Sequence, residues 1–563
     1  MGVGEVFAKL KMELTESQRF SLTIVALASV SLTVSLSSTS MSNAVPVITS
    51  QFHGTDVQAF WSGTANLLCS AVFQPAFAVF SYNFGRKPLF ILASLLFLAG
   101  SALATGSQSF DVLLAARSVQ GCGGGGLLTL SEILIADLTP LRERGKWIGL
   151  LSMMWAIGCV SGPIVGGALA HRNVWRWVFA LNLPLASISL ALICVSLKFR
   201  CHCLTFYEES TRRKLTRVDW IGFGLFIPSI SSFLIPLTWG GELFTWNSWH
   251  TLVPLLIGLG GLGAFVIYEM FIAKDPFLLK SIFRDWNAKL VYVQTFMHGV
   301  IVWCLLYYLP LYYQAVKSYT ALMSGVALLP ETFSITFAAG LVGFLIASTG
   351  RYREALAGGW IITTTSLGTM YLLDVHTATY EWVLINFFVG IGTGSLFTSL
   401  NLAVQSNIAA HEVSHALGFF AFFRALGQAI GVAVGGVTFD NIFRGKVKQN
   451  SELAAYANQL SKGAAALIEV LKTIPDSDPR KPALIQIYAD SLRMLWPVMC
   501  ACSGVALLVS LFIKVYSLGP GKGDIESVSG NVCMSYREDL VSDEVSMDYS
   551  GDFVREHEGT RKH

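Results

Sequence analysis

The chain has 563 residues, of which 53% are apolar and only 13% charged, with a mean hydropathy of +0.57. Soluble domains carry about a quarter charged residues, so the composition is that of an integral membrane protein rather than of a water-soluble enzyme. A net charge of +3 says little about partners by itself, and the partner this composition requires is a lipid bilayer, not a nucleic acid.

About fourteen apolar runs are long enough to cross a hydrocarbon core. In chain order they lie near 20–46, 59–81, 88–106, 111–136, 147–170, 175–197, 219–239, 251–271, 289–313, 321–347, 355–373, 381–404, 414–440 and 492–516. Lys and Arg fall in alternate connections, at Arg86 and Lys87, at Arg142, Arg144 and Lys146, and from Lys198 to Arg217. The positive-inside rule then puts both termini in the cytoplasm. Residues 1–19 read as a polar cytoplasmic tail without a cleavable signal.

The first run contains Ser37, Thr39 and Asn43. Such side chains either satisfy carbonyls of their own helix or face a polar cavity. Gly85-Arg86-Lys87-Pro88 reads as a tight cytoplasmic turn with Pro88 opening the next helix. Arg117 sits deep in the fourth run, where a cation needs an internal partner or a cavity unless it snorkels outward. Glu132 and Asp137 lie near the other end of that run and are expected to pair with Arg86, Arg142 or Arg144 as a cytoplasmic gate, to which Lys87 beside Arg86 also belongs. Gly121–Gly126 follows no strand and lacks the Lys-Ser/Thr ending of a phosphate-binding loop.

The basic stretch 198–218 leads into two further runs. Cys201-His-Cys203 within it offers too few ligands for a metal site, and no other residues suggest a metal or cofactor. In the second half, Gln294, His298 and Trp303 are deep enough in their run to line a substrate cavity. Glu331, just after Pro330, is the carboxylate most clearly inside the membrane. Desolvation favours the neutral form of a carboxyl group, so Glu331 is a candidate proton carrier or, alternatively, the cap of a proline-broken helix. Phe423, Arg424 and Gln428 put a cation and an amide beside aromatic rings and are further cavity candidates. Residues 441–491 form a long outer loop, and the Ser/Asp/Glu-rich 517–563 a disordered cytoplasmic tail.

Two stretches repeat. An offset of about 269 residues carries Gly121, Gly123, Gly125, Gly149, Gly158, Gly162, Gly166 and Gly167 onto Gly390, Gly392, Gly394, Gly418, Gly427, Gly431, Gly435 and Gly436. Glycine costs about 1 kcal/mol against alanine in a helix in water, whereas in lipid small residues let helix backbones approach. The chain therefore reads as a duplicated bundle, with 20–197 and 289–516 as its six-helix halves and 198–288 as a linker with two extra spans.

Gly158-Cys-Val-Ser-Gly162-Pro163-Ile-Val-Gly166-Gly167 and Arg117-Ser-Val-Gln120-Gly121 resemble the antiporter and fourth-span motifs of the fungal fourteen-span drug:proton antiporters of the major facilitator superfamily. Trp175-Arg-Trp177 and Ile235-Pro-Leu-Thr-Trp239-Gly-Gly241 resemble further features of that branch. The likeness covers residues 20–516. It implies two bundles rocking about a central cavity, in a monomer that exports small organic molecules against protons at the plasma membrane. Arg117, Glu132 and Glu331 would serve proton coupling, and the Gly162-Pro163 helix would be the pivot between bundles. Where that family has aspartates, this chain has Ser37 and Tyr82. An uncoupled facilitator or uptake carrier and a non-transporting sensor remain the alternatives.

Overall fold

A computed structural model describes residues 15–41, 44–53, 56–172, 174–197, 218–240, 244–274, 276–406, 412–450 and 480–514, with isolated positions between 408 and 478. Asn43, the 198–217 linker, most of the 451–479 loop and the 517–563 tail lie outside the described residues.

The described chain is helical, since a backbone in lipid must satisfy its own hydrogen bonds. The first half contains α1 (Glu16–Thr39), α2 (Val45–Phe52), α3 (Asp56–Phe84), α4 (Arg86–Thr105), α5 (Phe110–Leu138), α6 (Leu141–His171), α7 (Trp177–Ala180) and α8 (Asn182–Ser196). The added spans are α9 (Trp220–Trp239) and α10 (Trp249–Phe271). The second half contains α11 (Trp286–Ala315), α12 (Ala321–Ala327), α13 (Leu329–Thr349), α14 (Tyr352–Met370), α15 (Thr379–Gln405), α16 (Val413–Gln449), α17 (Arg480–Arg493) and α18 (Leu495–Leu511).

Thirteen of the described helical segments are long and apolar enough to cross a membrane. The fourteenth, α14, is made more polar by Arg353, Glu354 and the run Thr363–Thr365, yet it takes the place among its neighbours that α4 takes in the first half. Several expected runs are divided. The run near 321–347 breaks at Leu328 into α12 and α13, because Pro330 lacks an N–H and suits only the first turn of a helix. The run at 20–46 ends at Thr39, and α2 follows with its own proline near the start. In the expected outer loop, α16 continues to Gln449 and α17 begins at Arg480.

The two halves share one pairing scheme. α1 lies along α6 and α8, while α3 and α4 both pack on α5. Correspondingly, α11 lies along α16 and α18, while α13 and α14 pack on α15. Between the halves, α6 meets α13 and α3 meets α16. Exchanging the halves turns each of these contacts into the other, as a two-fold axis along the membrane normal requires.

The repeated glycines sit at the tightest of these contacts. A Cβ on Gly125 or Gly394 would fall under 3.0 Å from the backbone of Ser70 or Ile335, equivalent positions on α3 and α13. Gly121 meets Asn66, and Gly390 meets Glu331. Gly85 and Gly350 open the equivalent turns with φ of +93° and +72°, a region that favours glycine.

The helix expected as the pivot, α6, does meet the second half, but not through the glycines of its motif. Gly158, Gly162 and Gly166 press against α1 between Leu32 and Ser40, inside the first half. Gly167 is half-buried, and Pro163 lies inside the helix. Two other glycines carry α6 across to the second half: Gly145 against Gly343, and Gly149 against Gly340. The reason is angular, since positions 158, 162 and 166 form a stripe already occupied by α1.

Candidate functional site

Polar contacts between the halves cluster at the end where the basic turns lie. Glu132 on α5 forms an ion pair with Arg424 on α16 at 3.1 Å, and its other oxygen accepts from Asn401 Nδ2 at 3.1 Å. Asn401 is 269 residues beyond Glu132, so the two repeat-related positions meet each other on the axis. Arg144 donates to Gln405 Oε1 at 2.8 Å and to the carbonyls of Ala136 and Thr139. Arg142 donates to the carbonyls of Ala347 and Ser348 at the end of α13. Arg86 pairs with Asp137 at 2.8 Å and reaches Ser414 of the other half. Lys87 instead holds the carbonyls of Cys194 and Leu197 at the end of α8, within its own half. Tyr82 lies edge-on to His415, with ring centroids 5.0 Å apart. These contacts tie the two halves together at this end.

Deeper in the first half, Arg117 is fully buried. Its guanidinium donates to Gln120 Oε1 at 2.5 Å, to the Ser62 carbonyl at 3.2 Å and to the Ser37 carbonyl at 3.4 Å. Gln120 passes the chain on to Ser101 Oγ at 2.7 Å. The Ser37 hydroxyl is buried and has no partner among the described residues. Thr39 bonds the Ser35 carbonyl at 2.9 Å and the Gly158 carbonyl at 3.3 Å.

The equivalent depth of the second half holds an acid. Glu331, in the first turn of α13, is 0% exposed, and neither carboxylate oxygen has a hydrogen-bond partner among the described residues. It therefore caps no helix here. Nearby in the same half, Asn386 Nδ2 donates to the Tyr313 hydroxyl. Arg117 and Asn386 are related by the repeat, as are Asn66 and Glu331.

The remaining candidates separate. Trp303 on α11 faces Trp155 on α6 across the halves at 6.2 Å. His298 bonds the Thr393 carbonyl at 3.0 Å, and Gln294 accepts from Trp360 Nε1 at 3.0 Å, both inside the second half. Phe423 packs on Tyr292, also inside it, and on Phe283 just before it. Arg424 lies between the rings of Phe397 and Phe420, with its tip on Glu132. Gln428 is half-buried on α16. Reasoning from the sequence missed Asn401, Gln405 and Ser414. The repeat offset alone pointed to Asn401.

Comparison with known proteins agrees with this architecture. The family profile of the Major Facilitator Superfamily matches residues 27–432. An "MFS transporter L2" of a Phoma species is 42% identical over 500 residues, covering 89% of this chain and 83% of that protein. The "Efflux pump FUS6" of Gibberella fujikuroi is 32% identical, covering 89% and 90% of the two chains. Among solved structures, the human organic anion transporter MFSD10 superposes with a TM-score of 0.56 at 12% identity, over 87% of this chain and 99% of that one. With six-helix halves, paired glycine contacts and this match, the chain belongs to the major facilitator superfamily and is a membrane transporter of its fungal efflux branch.

Proposed function

We propose that this protein exports small amphipathic organic compounds, of the secondary-metabolite kind, from the cytosol across the plasma membrane in exchange for protons. The observation that carries the proton half of this reading is Glu331, a fully buried carboxyl group without a hydrogen-bond partner among the described residues. A carboxyl group in apolar surroundings accepts a proton readily and is costly to leave charged. Relatives named as efflux pumps support the export half.

The basic end is the cytosolic one under the positive-inside rule, so the state described here is closed to the cytosol. Protonation of Glu331 from outside removes the cost of burying its charge and favours the inward turn. The Glu132–Arg424 pair, the Asn401 contact and the Arg142 and Arg144 caps then part. Release of the proton inside accompanies substrate loading. Arg117, held by backbone carbonyls, keeps the first half rigid while the second half titrates.

Everted vesicles containing the full chain test the reading. Untargeted metabolite profiling of cells with and without the protein supplies the substrate. Accumulation of that substrate driven by an acid interior and abolished by a protonophore is the expected result. Glu331→Gln removes the dependence on the pH gradient. Flux indifferent to the gradient in the unmodified protein would establish a facilitator, and binding without flux a sensor.

A further inference from the structure

At the basic end of the added spans, Asp219 caps the start of α9 and Glu269 sits near the end of α10. Asp219 Oδ1 accepts from the Gly222 N–H at 2.8 Å and from the Tyr268 hydroxyl at 3.0 Å. Glu269 Oε2 accepts from the Leu278 N–H at 3.1 Å. The other two oxygens, Asp219 Oδ2 and Glu269 Oε1, are buried and have no partner among the described residues. Both lie within 2.6 Å of the point where a Cβ on residue 222 would sit. Glycine at that position leaves them room to face one another, and Glu269 is only 1% exposed.

Two ionised carboxylates side by side in apolar surroundings repel, and neither can donate to the other. One proton between them supplies the missing donor and removes one of the two charges, as in paired catalytic aspartates. A divalent cation would call for about six oxygen ligands, and this arrangement turns only two free oxygens inward. The neighbouring Lys280 ammonium donates to the Met270 carbonyl at 2.5 Å. From α3 and α16 the side chains packed here are aromatic: Phe80 on Phe223, Phe422 on Phe226, and Phe419 on Phe277.

We propose that Asp219 and Glu269 hold one proton between them, and that this proton latches the stretch 276–283 to the added spans. The latch has mechanical reach. Leu278 is held by Glu269, and Phe277 beside it is wedged among Phe223, Phe226, Phe265 and Phe419. α9 in turn touches both α3 and α16, the pair along which the halves meet. The added spans thus sense proton activity at the basic end and stiffen one of the two contacts between the halves.

The latched form binds one proton more than two separated carboxylates, so opening increases with pH, by up to about tenfold per unit. Hydrogen exchange at Phe277 and Leu278 in the purified full chain, corrected for intrinsic rates, reads this directly. Between pH 6 and 8.5 the unmodified protein should lose protection there, while Glu269→Gln and Asp219→Asn, whose amides donate without a proton, should stay protected at both pH values. An identical pH response in the unmodified protein and both variants would overturn the proposal. So would loss of folding in both variants, since an amide is a conservative replacement only for a protonated partner. Protection restored at pH 8.5 by added calcium or magnesium in the unmodified protein alone would also overturn it, in favour of a cation site.

Discussion

Arg117 and Asn386 hold the same place in the two halves, and so do Asn66 and Glu331, yet the chemistry at the two places is opposite. In the first half a buried cation donates to three acceptors, from Ser62, Ser37 and Gln120, while its Nη2 has no hydrogen-bond partner among the described residues. In the second half a buried acid has neither oxygen engaged among the described residues. The backbones around them match, since Gly121 presses on Asn66 as Gly390 presses on Glu331. The repeat keeps the scaffold and changes the chemistry set on it. One half buries a charge held by three acceptors, and the other a carboxyl group with no hydrogen-bond partner among the described residues.

The largest effect should come from breaking what the halves share. Gly125→Leu and Gly394→Leu each drive a side chain into the backbone of the facing helix, which cannot yield as a flexible side chain would. Each should cost more than about 4 kcal/mol, and the two should fail alike. Size-exclusion profiles of the solubilised protein would show both as aggregates. A well-folded Gly394→Leu would mean that the second half is not built on the first half's contact.

Breaking what the halves do not share should separate them. Arg117→Met leaves the Ser62 and Ser37 carbonyls and the Gln120 side chain short of a donor, a loss of about 3 kcal/mol. Glu331→Gln replaces an unpartnered carboxyl with an isosteric amide, and its effect on stability should stay within about 1 kcal/mol. Thermal unfolding in detergent checks both. A Glu331→Gln variant as unstable as Arg117→Met would assign the acid a structural role instead.

At the closed end the expected effect is smaller. Arg424→Ala strands Glu132 between the halves, and the closed state should lose about 2 kcal/mol relative to the opposite-facing one. Cysteines placed at the basic end of α15 should then label faster in everted vesicles. Asn401→Ala removes neutral contacts alone, the donor to the same carboxylate and the acceptor of Gln405 Nε2, and should move the labelling rate less, by the smaller worth of uncharged hydrogen bonds.

What could be read in advance divides along the same line. The repeated glycines were legible because a close backbone approach demands glycine whatever the partner is. The buried positions of Arg117 and Glu331 were legible because charge is rare in an apolar run. Partner choice was not. Glu132 meets Arg424, 292 residues away and in the other half, and no local pattern records which two surfaces the fold brings together. Lys87 looked like a gate beside Arg86, but successive residues leave a helix in different directions, and Lys87 turns to the end of α8. The place of the α6 glycines needed the position of α1, which spacing along α6 cannot give.

The smallest effect lies at the opposite end, where two equivalent connections are braced differently. Between α4 and α5, Arg176 donates to the Ser107 carbonyl at 3.0 Å, a neutral acceptor that does not titrate. Between α14 and α15 the brace is Asp374, which accepts from the Val375 N–H at 2.7 Å and from Gln486 Nε2 at 3.2 Å. Burial alone would push the Asp374 carboxyl up, but those two hydrogen bonds and the charges of Arg493 and His376 outweigh it and hold the group below the usual 3.8. A folded-state value below the unfolded one means that the brace contributes fully above about pH 4 and fades as pH falls through the lowered value. Because the site is partly open to water, solvent screening keeps its worth under about 1 kcal/mol. Asp374→Asn should therefore flatten the acid limb of the unfolding curve while leaving transport at neutral pH unchanged, whereas Ser107→Ala should leave that limb as it is, since its carbonyl still accepts from Arg176. An acid limb unaltered by Asp374→Asn would mean that the two connections are braced alike after all, by backbone alone.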